Sequence, residues 1–333
     1  MKENKILTIL LALLLVLSQA NAQEVMMNHI IAAKEYMKTD STALAKRELD
    51  SALRISPKDP MANTIMGDLM NNQGNYLRAL LSYDKAIESN QTDPTLYIKR
   101  ANLHIMLRNH RTYIVEDYDR AILLAPDSIN YYVQKSEYLA SINNPVSHDP
   151  EFDLAAQTIS QAIAVDRKNP YLYYLRSNYY YNDGQNLAAI ADIDKAVAMD
   201  KSRDEFLAFK GYIHFMIGDF RQAYGSYSVA IIRNPNNAGY YEFRGHANYN
   251  LGNYIRAYDD YSKGIDLLIG EIAKRESKID VSDPLNKQLS VILLYRGMAL
   301  VQEGRPFDAC DDFKRAFQIG ESKAKNYIRK YCN

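Results

Sequence analysis

Tryptophan is absent from the 333 residues, cysteine occurs only twice, and the charges cancel, 40 Lys+Arg against 40 Asp+Glu. Two cysteines exclude a disulfide-dense miniprotein. Zero formal net charge removes any chain-wide pull toward phosphate backbones or anionic lipid, so nucleic acid is not an expected partner. Ten Pro and 14 Gly are too few for collagen or a low-complexity linker, and 47% hydrophobic with 24% charged residues is a globular balance. Also missing are a glycine-rich phosphate loop, HExxH, CxxC and GxSxG. With none of these there is no reason to expect an enzyme, a cofactor or a metal.

Long hydrophobic runs are scarce too. The one that stands out, Ile6 to Leu17, is apolar except for Thr8 and falls short of the about 20 residues a bilayer core requires. Lys2 and Lys5 precede it and Ala20-Asn21-Ala22 follows as a small-x-small site. Residues 1–22 therefore read as a signal peptide, against the competing reading of an uncleaved anchor helix. The mature chain, 23–333, is expected to be exported to the periplasm or beyond the cell, without insertion into a membrane. No Cys sits at the cleavage site to carry a lipid. Oligomeric state is left open.

What is present is repetition. With small residues set in register as position 8 of a unit, the chain gives Ala33, Gly67, Ala101, Ser136, Ser177, Gly211, Gly245 and Gly297, most of them 34 residues apart. Position 20 is Ala45, Ala79, Ile114, Ala155, Ala189, Ala223, Ala257 and Ala309, and position 24 is bulky in every unit, from Leu49 and Tyr83 to Tyr261 and Phe313. Antiparallel helices approach closely only where small side chains leave room for a large one opposite, so each unit is predicted to be a helix hairpin, A then B. Asp59-Pro60, Asp93-Pro94 and Asn169-Pro170 place a capping side chain before a first-turn proline, and Gly74, Gly184, Gly218, Gly252 and Gly304 end A helices. The fold class is all-α, with units at about 26–59, 60–93, 94–128, 129–169, 170–203, 204–237, 238–271 and 290–323. Two interruptions stand out, an insertion at 143–153 and an excess at 270–286 that either prolongs a helix or forms an exposed loop.

Charge follows the same register. Position 7 is Arg100, Arg176, Arg244 and Arg296 in the four units whose position 23 is Asp117, Asp192, Asp260 and Asp312. Because these positions face each other across a hairpin, four Arg–Asp pairs between helices A and B are expected, with anion binding by an arginine row as the alternative. His104 and His214 share position 11 with Tyr36 and Leu139 in other units and read as packed imidazoles.

The segments 237–245 (NAGYYEFRG) and 251–261 (LGNYIRAYDDY) carry a resemblance to the tetratricopeptide repeat (TPR) family that extends over about 26–323. The resemblance implies a right-handed superhelical solenoid whose A helices line a concave groove, and protein or peptide binding as its work. Tyrosine, 27 residues strong, fills several positions that look into the groove in that family. Candidate groove residues are Tyr171, Tyr174, Asn178, Tyr181, Tyr212, Phe215, Met216, Glu242, His246, Tyr249 and Asn250. Aromatic bodies with polar tips suit a peptide, or alternatively a glycan or small ligand.

A terminal repeat needs a cap. Residues 321–332 read as a further short helix, with Ala324, Tyr327, Ile328 and Tyr331 on one face. If it folds back at Gly320, Cys310 and Cys332 come to similar height, so a disulfide is expected there, against two unpaired thiols.

Overall fold

A computed structural model describes residues 2–142, 151–275 and 282–332. Among them are seventeen α-helices and no strand. The chain divides into two compact units, Met1–Tyr138 and Leu139–Asn333. The first holds α1 (Lys2–Lys38), α2 (Thr42–Ile55), α3 (Pro60–Asn72), α4 (Tyr76–Ser89), α5 (Pro94–Met106) and α6 (Arg111–Leu124). Helix α7 (Ile129–Ser141) runs across the division. The second unit holds α8 (Glu151–Val165), α9 (Pro170–Asn182), α10 (Asn186–Met199), α11 (Asp204–Met216), α12 (Phe220–Arg233), α13 (Ala238–Asn250), α14 (Tyr254–Lys274), α15 (Pro284–Gln302), α16 (Cys310–Gln318) and α17 (Ala324–Tyr331).

The helices begin and end where backbone chemistry requires. Side chains of Asp59, Asp93, Asn169, Asn237 and Asp283 each accept a hydrogen bond from a first-turn N–H, at 2.7 to 3.1 Å. At the turn between A and B the chain enters the left-handed region, at φ 72° for Gly74 and 78° for Gly252, which glycine reaches without a Cβ clash. Asp40 and Arg108 hold the same turn at φ 56° and 54° in two hairpins that lack the glycine.

Hairpin packing turns on positions 8 and 24. A Cβ placed on Gly245 would lie 2.6 Å from Tyr261 Cε1, one on Gly297 2.6 Å from Phe313 Cε1, and one on Gly211 2.9 Å from Tyr227 Cε2; Gly67 meets Tyr83 in the same way. All four rings are almost wholly buried. Where position 8 is Ala33 or Ser177, position 24 shrinks to Leu49 or Ile193, so the pair conserves volume; Ala101 with Tyr118 is the exception. Ser177 also donates to the Ala189 carbonyl at 2.7 Å, satisfying its hydroxyl inside the core.

The packed part of α1 begins at Met26, followed by Ile30 and Ala33, whereas Leu13, Val16 and Leu17 are exposed. No helix among the described residues is long and apolar enough to cross a membrane. The excess at 270–286 prolongs two helices: α14 has 21 residues and α15 has 19, against 14 and 13 in a regular hairpin. Residues 276–281, and 143–150 of the earlier insertion, lie outside the described set. The C-terminal helix starts at Ala324 instead of 321, because 321–323 form a turn in which Glu321 accepts from the Lys323 N–H. Helix B of the eighth unit runs from Cys310 to Gln318. Cys310 and Cys332 are joined by a disulfide, with Cα atoms 5.4 Å apart across a sequence separation of 22.

Candidate partner-binding site

The scaffold that holds the A helices in place is a ladder of cations. Arg176 Nε donates to Asp192 at 2.6 Å and Nη2 at 2.9 Å; Arg296 engages Asp312 at 2.7 and 2.6 Å; Arg100 and Arg244 engage Asp117 and Asp260 by the same fork. Each arginine then spends its remaining nitrogen on the preceding hairpin. Nη1 reaches Asp84, Ser160, Ser228 and Ser262 from Arg100, Arg176, Arg244 and Arg296. Those four acceptors occupy one register position, 25, directly after the buried ring or aliphatic. Lys135 and Lys210, at position 7 of the hairpins without Asp at 23, reach Asp119 and Asp194 at position 25 as well, at 2.5 and 2.6 Å. Position 25 was not singled out by sequence reasoning, although its short polar acceptor ahead of every cation is visible there. With their donors committed between helices, these guanidiniums are structural. Four aromatic rings complete the cage, Tyr97, Tyr173, Tyr241 and Tyr258, each within 5.6 to 5.7 Å of its arginine. Burial raises the Asp117 carboxyl above its ordinary value, and the Arg100 guanidinium only partly offsets this.

On these rungs the second unit carries a continuous run of rings. Tyr171 stacks on Tyr174 at 5.9 Å, Tyr174 on Phe206 at 5.1 Å, and Phe209 meets both Tyr174 and Tyr181. Tyr181 meets Tyr212 at 5.5 Å, Tyr212 meets Phe243 at 6.1 Å, and Phe243 leads on to Phe215 and His246. His246 lies 4.3 Å from Tyr295, which neighbours Tyr249. Between α11 and α13 this run encloses a cleft of about 250 Å³ lined by Ala208, Phe209, Tyr212, Tyr227, Asn237, Gly239, Tyr240 and Phe243. The Tyr240 hydroxyl donates to Asp204 at 2.8 Å, which pins one wall. Burial and a hydrogen bond with Tyr212 push the Tyr181 phenol up to about 12, so that ring stays neutral at physiological pH.

The expected groove set divides in three. Tyr171 and Met216 are 41% and 53% exposed, and Asn250 is exposed as well. Tyr174, Asn178, Tyr181, Tyr212, Phe215 and Tyr249 are half-buried, each offering part of its surface. Glu242 and His246 are buried and belong to the packing: Glu242 accepts from Gln288 at 2.7 Å, and His246 Nδ1 pairs with the Tyr261 hydroxyl at 2.8 Å. Their positions open onto a groove in a regular array, but the elongated α15 lies against them here and supplies Gln288 and Tyr295 as neighbours. Phe209 and Phe243, which line the cleft, were missed because position 6 is aromatic only in the last three units, where Tyr295 follows them, and holds Ile65, Lys99, Gln134 and Leu175 in earlier ones. No cluster of three His, Cys, Asp or Glu side chains suited to a metal occurs among the described residues.

Tandem helix hairpins with small-on-large packing, a repeated cation ladder and an aromatic face define a helical repeat scaffold. The fold is that of tetratricopeptide repeat proteins. The structure is similar to the C-terminal part of a TPR repeat-containing protein from Cytophaga hutchinsonii, with TM-score 0.59 and 17% identity over 79% of this chain and 98% of that one. Weaker likenesses are to MamA, with TM-score 0.48 and 21% identity over 60% of this chain and 96% of that one, and to PilF of Pseudomonas aeruginosa, with TM-score 0.45 and 15% identity over 68% and 99%. At these identities the likeness is one of fold. No protein-family model and no curated protein matches the chain.

Proposed function

We propose that this protein is a non-enzymatic, exported scaffold that holds a protein or peptide partner against the aromatic face of α9, α11 and α13. In this reading the hairpins of the second unit wind right-handed, which turns that face inward as a groove. The observation that carries the reading is the ring run from Tyr171 to Tyr249 with its cleft of about 250 Å³. Rigid aromatic walls anchor an apolar partner side chain at small entropic cost, and the half-buried hydroxyls and Asn178 supply adaptable hydrogen bonds around it. Burial of the ion-pair ladder leaves those anchors preorganised, which lowers the cost of binding.

Affinity capture from envelope extract with the mature chain tests the reading, with a glycan array run in parallel. A protein partner should be retained whose binding weakens at least tenfold in Tyr171→Ala/Met216→Ala, with the thermal midpoint within a degree or two of the parent. Binding of a glycan on those same residues with no protein retained favours the sugar-binding alternative instead. Export is tested separately by N-terminal sequencing of protein taken from the cell envelope, which should begin at Gln23.

A further inference from the structure

The overrun of α14 and α15 builds a further cavity in the second unit. Helix α14 continues seven residues past the 14-residue length of α12, and α15 begins six residues ahead of the 13-residue length of α13. The two extra stretches face each other across the end of α16 and enclose about 310 Å³. Ile272, Leu289, Leu293 and Ile319 make the walls, with Leu293 and Ile319 almost wholly buried. At its rim lies Arg315, half-buried, in the last turn of α16.

Arg315 breaks the rule that the other half-buried arginines obey. Arg100, Arg176, Arg244 and Arg296 each face an aspartate on the partner helix, at 2.6 to 2.7 Å in the first, second and fourth pairs. The Arg315 side chain has no hydrogen bond, ion pair or ring contact with the described residues, although partial burial strips away some of its water. A guanidinium held so, beside an apolar hole at the lower end of ligand-site volumes, is complementary to a carboxylate with a hydrocarbon tail.

We propose that this cavity is a binding site for a medium-chain monocarboxylic acid, its chain packed on Ile272, Leu289 and Leu293 and its carboxylate on Arg315. The site is separate from the aromatic face, so either can fail without the other. Titration calorimetry of decanoate into the mature chain should show one saturable site, and decylamine, which reverses the charge, should not bind. Arg315→Gln should weaken decanoate at least tenfold with a nearly unchanged melting temperature, since no hydrogen bond or ion pair within the protein is lost. Ala273→Trp, which fills the mouth from an exposed position, should abolish binding, while Tyr171→Ala/Met216→Ala should leave it intact. No saturable decanoate binding by the parent chain, equal affinity in Arg315→Gln, or equal binding of decylamine overturns the proposal.

Discussion

Replacing Gly245 by alanine sets two effects of opposite sign against each other. In a helix interior the change should stabilise by about 1 kcal/mol through propensity alone. Against it stands the Tyr261 ring, whose Cε1, Cδ1 and Cζ would lie 2.6, 2.8 and 3.1 Å from the new methyl. The ring is wholly buried, and its hydroxyl is bonded to His246 Nδ1 at 2.8 Å, so it cannot swing aside without breaking a buried hydrogen bond. Overpacking of this kind costs about 1 to 3 kcal/mol, and loss of the hydrogen bond adds about 1 more. The net expectation is destabilisation by about 1 to 3 kcal/mol. Gly225, exposed in α12 with nothing within 4 Å of a Cβ, supplies the control: Gly225→Ala should stabilise by up to about 1 kcal/mol. Urea unfolding of both variants, with hydrogen exchange at α13 and α14 to locate the effect, measures the difference. A double-mutant cycle with Tyr261→Leu, which copies the Ala33 and Leu49 pairing, should give a favourable coupling of at least about 1 kcal/mol. If Gly245→Ala is as stabilising as Gly225→Ala, or the coupling is zero, the close-approach account of position 8 is refuted.

Arg244→Ala should cost about 3 kcal/mol by stranding Asp260, which is 6% exposed, and Arg244→Lys should recover little because an ammonium cannot reach both Asp260 and Ser228; denaturant midpoints decide this. Reducing the disulfide, which closes a sequence separation of 22, should remove about 3 kcal/mol from the C-terminal hairpin. Two thiols open to alkylation in denatured, unreduced protein would sink that expectation. Burial holds His214 below its ordinary value of 6.5, with Asp219 opposing and Lys210 assisting. The unfolded chain therefore takes up the proton first, so stability is fully present above pH 6.5 and is lost as pH falls toward the lower folded value. Unfolding of His214→Phe should lose part of the difference between pH 7.5 and 5, and an unaltered difference contradicts the assignment.

The repeat period, the caps and the hairpin order were legible in the residues alone because each is local: a capping Asp or Asn before proline, a glycine at the turn, small and bulky residues at fixed spacing. The four Arg–Asp partners were also readable, since positions 7 and 23 are tied by the hairpin itself. Contacts between successive hairpins were not. That Nη1 and the lysines reach back to position 25, that Glu242 and His246 sink beneath α15, and that Phe209 and Phe243 wall a cleft all depend on how one hairpin stacks on the next, which sequence spacing does not encode. The excess at 270–286 shows the limit most clearly. Its residues permitted a loop or a longer helix, and only the burial of Leu289 and Leu293 against α14 and α16 made helix extension the lower free energy, since an isolated two-turn extension gains too little from backbone hydrogen bonds to offset its entropy.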